Sequence, residues 1–175
     1  MSLAPTMMRE AVAGDQEAFM LLVQPLLPVA YRLAVGMLRS QSAAEDAVQE
    51  GVLKAWRHFG RFRRDANLKP WLLTIVANEC RNQRRNRWWS VITRSEAPDD
   101  VVDTNASLDP ASVDLRHALH RLPHDQRVVL ILRFYLDLSY EEVGQTLRIS
   151  AKAAKSRTYR AVERLRLSPE VIPDE

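Results

Sequence analysis

The sequence is poor in cysteine and glycine. One cysteine, Cys80, in 175 residues leaves no intramolecular disulfide to form and no framework for a disulfide-stapled fold. Five glycines argue against a turn-rich β protein. No phosphate-cradling glycine loop, nucleophile elbow or HExxH sequence is present, so an enzyme of those types is not expected. No apolar run is expected to approach the roughly 20 residues of a membrane span. The opening "MSLAPTMMRE" lacks the basic start and apolar stretch of a signal peptide. These absences lead to the expectation of a soluble, cytoplasmic protein without membrane insertion or cofactor.

What is present is charge, unevenly placed. The formal net charge is only +3, yet residues 61–94 carry nine basic and two acidic groups, and 150–166 carry six and one. Between them, residues 95–114 carry six acidic groups and no basic one. A solvated surface usually mixes signs, so two basic blocks around an acidic stretch point to polyanion binding at two places.

The acidic stretch "SEAPDDVVDTNASLDPASVD" contains Pro98, Pro110 and several Ser and Asp with little periodicity, which is a linker composition. Both flanks read as helical. Asp15 is a candidate N-cap for an apolar-periodic run that Pro25 and Pro28 interrupt. Ser42-x-x-Glu45 reads as a capping box opening a helix to about Phe59. The loop "GRFRRDAN" precedes a helix through Trp71 to about Arg87. Further helices are expected from Asp109-Pro110, over 123–136, from a second capping box at Ser139-x-x-Glu142 to Leu147, and over 151–166. No segment alternates as a strand does, so the expected class is all-α.

The last two helices, joined by about three residues, form a helix-turn-helix pattern, whose second helix can enter a DNA major groove. At 100° per residue, Ala151, Ala154, Thr158, Ala161, Val162 and Leu165 share one arc. The opposite arc holds Lys152, Lys155, Ser156, Arg157, Tyr159, Arg160 and Arg164. Small residues on the first arc permit close packing on Val143 and Leu147. Lys and Arg on the second can neutralise phosphates, and Arg and Ser can reach base edges. A plain amphipathic surface helix is the alternative reading.

The segment "LPHDQRVVLILRFYLDLSYEEVGQTLRIS", followed by Lys155-Ser156-Arg157 and Arg160-Ala161, resembles region 4 of the sigma-70 family, in particular its extracytoplasmic-function (ECF) group. The resemblance implies binding of the promoter −35 element through Lys152, Ala153, Lys155, Ser156, Arg157, Arg160 and Arg164. It also implies docking on the flap of the polymerase β subunit, through a hydrophobic surface near Leu136 and Leu138. This chain departs from the family pattern at Arg148, where a small residue is usual, at Ala153-Ala154 in place of Thr-Val, and at Thr158 in place of Leu.

The N-terminal half carries a second resemblance. "SAAEDAVQEGVLKAW" puts Asp46, Gln49, Glu50, Leu53 and Arg57 on one helix face and Val48, Val52, Ala55 and Phe59 on the other. Taken alone, the polar face is a solvated surface. It is similar to the sigma region 2 segment that grips the coiled coil of the polymerase β′ subunit, which implies core polymerase contact by Asp46, Gln49 and Glu50. "PWLLTIVANECRNQRRNRWW" resembles the family's helix that contacts the −10 element. That likeness assigns DNA contacts to Asn78, Arg81, Asn82, Arg84 and Arg85. Trp71, in an apolar stripe with Leu72, Ile75 and Val76, is expected in the core, and Trp88 and Trp89 could stack on bases or pack at the domain end. The loop "FGRFRRDANLK" lies where ECF relatives capture a flipped-out base. There Arg61, Phe62, Arg63, Arg64 and Asn67 are the candidates, by charge, stacking and amide hydrogen bonds.

The expectation is therefore an ECF sigma factor of two helical domains. Residues 1–90 form region 2, 91–110 an acidic flexible linker, 111–167 region 4 and 168–175 an acidic tail. Its implied partners are core RNA polymerase, promoter DNA and an anti-sigma factor. Asp99, Asp100 and Asp103 of the linker could mimic nucleic acid in the polymerase channels or serve as a solvated spacer. A conventional helix-turn-helix repressor or activator is the rival reading, but it leaves the second basic block unexplained. His117, His120 and His124 have i, i+3, i+7 spacing, but Pro123 breaks their helix and a structural zinc site wants four ligands, so no metal is expected.

Overall fold

The computed structural model describes residues 3–63, 65–94, 118–119 and 121–167, and the side chains of these other than 3–5 and 87–94. Every helix or extended segment assigned among them is helical. The chain divides into two compact units, Met1–Asp99 and Asp100–Glu175.

The first unit contains α1 (Leu3–Val12), α2 (Gln16–Val23), a 3-10 turn (Gln24–Leu26), α3 (Leu27–Leu38), α4 (Gln41–Phe59) and α5 (Leu68–Arg94). Asp15 caps α2 as expected, its Oδ1 accepting from the Ala18 N–H at 2.8 Å. Pro25 lies in the 3-10 turn and Pro28 in the first turn of α3, where a missing N–H leaves no intrahelical bond unmade. The whole stretch Gln16–Leu38 is long and apolar enough by composition to cross a membrane, which corrects the expectation that no run approaches that length. Here the stretch is broken at the prolines, and Phe19, Val23, Ala30, Leu33, Ala34 and Met37 are buried in the unit's core.

Helix α3 ends on Arg39 in the left-handed region (φ 57°, ψ 31°), whose N–H donates to the Val35 carbonyl at 2.8 Å. That turn makes Ser40 the extended residue before α4, and its Oγ accepts from the Ala43 N–H at 3.3 Å. The cap is therefore Ser40 and not Ser42, which already lies within the first turn. Helix α4 buries Ala44, Ala47, Gly51 and Ala55, a stripe at helical spacing that lets α5 approach closely. A Cβ at Gly51 would stand only 2.8 Å from Val76 Cγ2. Lys54 and Glu79 bridge the same pair of helices at 2.7 Å. Helix α5 runs past the expected end near Arg87. No glycine or proline occurs between Pro70 and Pro98, so nothing local stops it.

The second unit contains α6 (His124–Leu130), which continues into a π-helical turn (Ile131–Tyr135), then α7 (Tyr140–Leu147) and α8 (Ala151–Arg166). The expected helix from Asp109-Pro110 lies outside the described residues. Both arms of the capping box on α7 are made: Ser139 Oγ accepts from the Glu142 N–H at 3.1 Å, and Glu142 Oε2 accepts from the Ser139 N–H at 2.9 Å. Helix α7 ends with Arg148 left-handed (φ 57°, ψ 45°). The Ile149 N–H donates to Gly144 O at 2.9 Å and the Arg148 N–H to Gln145 O at 3.3 Å, the double bond pattern of a Schellman cap. The turn folds tightly onto α7, where a Cβ at Gly144 would meet Ile149 O at 2.7 Å. Ser150 then caps α8, accepting from the Ala153 N–H at 3.1 Å.

Two substitutions test this turn by native-state hydrogen exchange of the α7 and α8 amides. Arg148→Gly relieves a left-handed non-glycine residue and is expected to raise local stability by about 1 kcal/mol. Gly144→Ala forces a Cβ against a backbone carbonyl and is expected to lower it by about 1–3 kcal/mol.

Candidate nucleic-acid interface

Helix α8 divides as its alanines require. Ala154, Thr158 and Ala161 are buried, as are Val143 and Leu147 of α7. Thr158, where a larger apolar residue is usual, satisfies its hydroxyl by donating to Ala154 O at 2.9 Å. The outward side presents Lys152, Lys155, Ser156, Tyr159, Arg160 and Arg164, with Ala153 half-buried. Arg160 folds back on Ser156, its Nε 3.4 Å from the Ser156 carbonyl. Arg157 differs from these neighbours: its side chain is only 31% exposed, and its guanidinium lies 3.5 Å from an Asp125 carboxylate oxygen. Tyr159, absent from the expected contacts, is 61% exposed, with Lys155 Nζ 5.9 Å from its ring centroid. Its place on the cationic arc was the available signal, since an aromatic ring there has no core to fill.

In the first unit the connection between α4 and α5 is pinned from within. Phe62 is 6% exposed, stacked on Phe59 (centroids 5.2 Å, planes 6° apart) and edge-on to Trp71 (4.9 Å). This corrects its expected role: a ring locked between the end of α4 and the start of α5 has no face left for a nucleobase. Trp71 is partly buried and packs against the same core cluster as Phe19 and Phe59, in line with the core position expected of it. Asn67 is exposed, but its Oδ1 accepts from the Lys69 N–H at 3.1 Å and so caps α5. Arg61 is exposed. Arg63 is also exposed and pairs through its fork with Asp65, at 2.7 and 3.3 Å. That hydrogen-bonded partner holds the Asp65 carboxyl below the usual carboxylate range and raises the Arg63 guanidinium. Arg64 lies outside the described residues.

Along α5, Asn78, Arg81, Asn82 and Arg85 follow one another at helical spacing, and Arg84 and Arg85 are exposed. Arg81 donates to Asn78 Oδ1 at 2.8 Å, which orients both side chains. On α4, Asp46, Gln49, Glu50, Leu53 and Arg57 are all exposed on the face opposite the buried alanines.

The apolar docking surface expected near Leu136 and Leu138 is corrected. These residues are 7% and 0% exposed, whereas Phe134 and Tyr135 are each 62% exposed. The π turn is the reason. Its extra residue per turn carries Leu132 and Leu136 inward, and Asp137 then adopts a left-handed conformation (φ 49°) that returns Leu138 to the core. Arg133 secures this segment, 5.3 Å from the Tyr140 ring centroid and donating to Leu138 O at 3.2 Å. Among the described residues no group of three His, Cys, Asp or Glu side chains could hold a metal, and His117 and His120 lie outside them. Cys80 is buried, and desolvation pushes its thiol up to about 12.

Comparison with known proteins shows the family. Residues 22–90 match the sigma-70 region 2 model and residues 112–165 the sigma-70 region 4 model. Over 154 residues the chain is 33% identical to the ECF RNA polymerase sigma factor SigM of Mycobacterium tuberculosis, covering 88% of this chain and 78% of that one. The chain belongs to the sigma-70 family, as an ECF sigma factor. It is also 32% identical to the RNA polymerase sigma factor CarQ of Myxococcus xanthus, covering 87% of this chain and 90% of that one. The sigma factor RpoE of Bartonella quintana, solved in complex with the anti-sigma factor NepR, matches with a TM-score of 0.73 and 32% identity, covering 85% of this chain and 94% of the other. As a member of this family, the sigma factor directs RNA polymerase to promoters and initiates transcription, and it is not itself an enzyme.

Two measurements check the corrected loop and core. Phe62→Ala is expected to destabilise the first unit by about 3–5 kcal/mol in denaturant unfolding followed by tryptophan fluorescence, while Arg61→Ala stays within about 0.5 kcal/mol. Cys80 is expected to resist alkylation until the chain is unfolded, read by mass spectrometry.

Proposed function

We propose a division of labour among the exposed faces of this sigma factor. Residues 1–90 act as region 2 and 111–167 as region 4, with 91–110 as the connecting linker and 168–175 as a tail, and the protein works in the bacterial cytoplasm. Asp46, Gln49 and Glu50 on α4 grip core polymerase, where carboxylate and amide groups suit an Arg-rich partner helix through charge-assisted hydrogen bonds. Phe134 and Tyr135 take over the apolar docking first assigned to Leu136 and Leu138. Asn78, Arg81, Asn82, Arg84 and Arg85 hold the −10 element, with Arg61, Arg63 and Asn67 bordering the captured base. Strand opening draws on the binding of unstacked bases in a cationic site. Lys152, Ala153, Lys155, Ser156, Arg160 and Arg164 meet the −35 element.

The observation that carries this reading is the presence of two cationic faces on two separate units, along α5 and along α8, together with an acidic and amide face on α4. A repressor acting alone needs only α8 and leaves the other two faces idle. An anti-sigma partner is supported by the likeness to RpoE of Bartonella quintana, solved bound to NepR, and would cover the polymerase-binding faces.

Run-off transcription with core polymerase on a promoter library tests the reading. A transcript dependent on this protein is expected, and none, with no co-purification with core, would sink it. Asp46→Ala should weaken core binding by about tenfold and leave DNA contacts intact. Arg160→Ala should spare core binding and weaken promoter binding by about 1–3 kcal/mol. Equal losses of core affinity in both variants would contradict the division.

A further inference from the structure

We propose that Arg157 is a positioning residue of the recognition helix, held by Asp125, and that it does not itself contact DNA. The proposal rests on the reading of α8 as the helix that meets the −35 element. Arg157 follows the buried Ala154 by three residues and precedes the buried Ala161 by four, so it stands beside the packed stripe and not on the outward arc. Its side chain is 31% exposed, and its guanidinium reaches Asp125 Oδ2 at 3.5 Å, in the first turn of α6. The stem thus lies along the seam where α6 packs on α8, with the charge at its rim.

That geometry sets Arg157 apart from the cations around it. A phosphate approaching it would also approach the Asp125 carboxylate, 70% exposed, and like charges at that range offset the attraction. Lys152 and Arg160 lie on the outward side, and among the described residues neither is ion-paired with a carboxylate. The buried residues of α8 itself are Ala154, Thr158 and Ala161, none of them charged. Close packing of these small residues holds α8 against its neighbours. The Arg157–Asp125 link adds a polar stop at the rim against rotation of α8 about its axis. It thereby sets which face, Lys152, Ser156 and Arg160, meets the base edges.

The test uses the full chain assembled with core polymerase on its selected promoter. Affinity is measured against salt concentration, with the −35 element intact or scrambled. Arg157→Ala and Asp125→Ala are each expected to cut discrimination between the two promoters by the same about two- to fivefold. Both should leave the salt slope unchanged. The double variant should be no worse than either single one, and the exchange Asp125→Arg with Arg157→Asp should restore discrimination. Arg160→Ala, a contact residue, should lower the slope by about one. A slope lowered by about one in Arg157→Ala, with Asp125→Ala neutral or tighter-binding, would overturn the proposal, as would unchanged discrimination in Arg157→Ala. Should Arg157→Ala fail to fold, Asp125→Asn removes the charge alone, and unchanged discrimination there is equally fatal. Loss of effect in Arg160→Ala as well would instead refute α8 as the recognition helix.

Discussion

Both units depend on helices that approach closer than ordinary side chains would allow. In the first, Ala44, Ala47, Gly51 and Ala55 give α4 a nearly bare face, and α5 settles onto it until Gly51 has no room for a Cβ beside Val76. In the second, Gly144 lies under the helix-turn-helix turn, and Ala154, Thr158 and Ala161 bring α8 onto its neighbours. Close packing of small residues gains little apolar area per residue. It gains instead a fixed helix orientation, because interlocked backbones have few alternative positions. The opposite faces, Asp46, Gln49 and Glu50 on α4 and the cations of α8, are thereby aimed outward as rigid arrays.

Rigidity extends into the connection between α4 and α5. Phe62 is clamped by Phe59 and Trp71, Asn67 caps α5, and Arg63 is forked to Asp65. A segment already ordered before DNA arrives loses less conformational entropy on binding. This matters for a protein that opens a duplex without chemical energy of its own. The Arg63–Asp65 pair is exposed, and surface ion pairs of this kind hold weakly, so Phe62 and Asn67 carry most of this ordering.

The sequence was legible where a local rule operates alone. Asp15, the capping box at Ser139 and Glu142 and the two proline interruptions all follow from backbone chemistry within a few residues. The amphipathic arcs of α4 and α8 were equally legible, because a helix converts sequence spacing directly into a face. Local rules misled where two of them competed. Ser40 outranked Ser42 as a cap because the left-handed Arg39 before it set the chain's direction. Helix α5 outran its expected end because nothing in the sequence stops it.

By itself, then, the sequence determined the all-helical class, the separation of the basic blocks and the identity of the family, since each depends on periodicity, charge or short motifs. Tertiary structure decided which apolar side chains are walls and which are surface. Phe62 reads as a stacking residue in a cationic loop until Phe59 and Trp71 close on both sides of it. Leu136 and Leu138 read as a docking patch until the π turn rotates them inward and leaves Phe134 and Tyr135 outside. Arg157 reads as one more cation until Asp125, 32 residues earlier in the chain, is found beside it. In each case the deciding neighbour comes from another element or from a change in helical pitch. Burial depends on three-dimensional packing, which one residue's position in a local pattern does not specify.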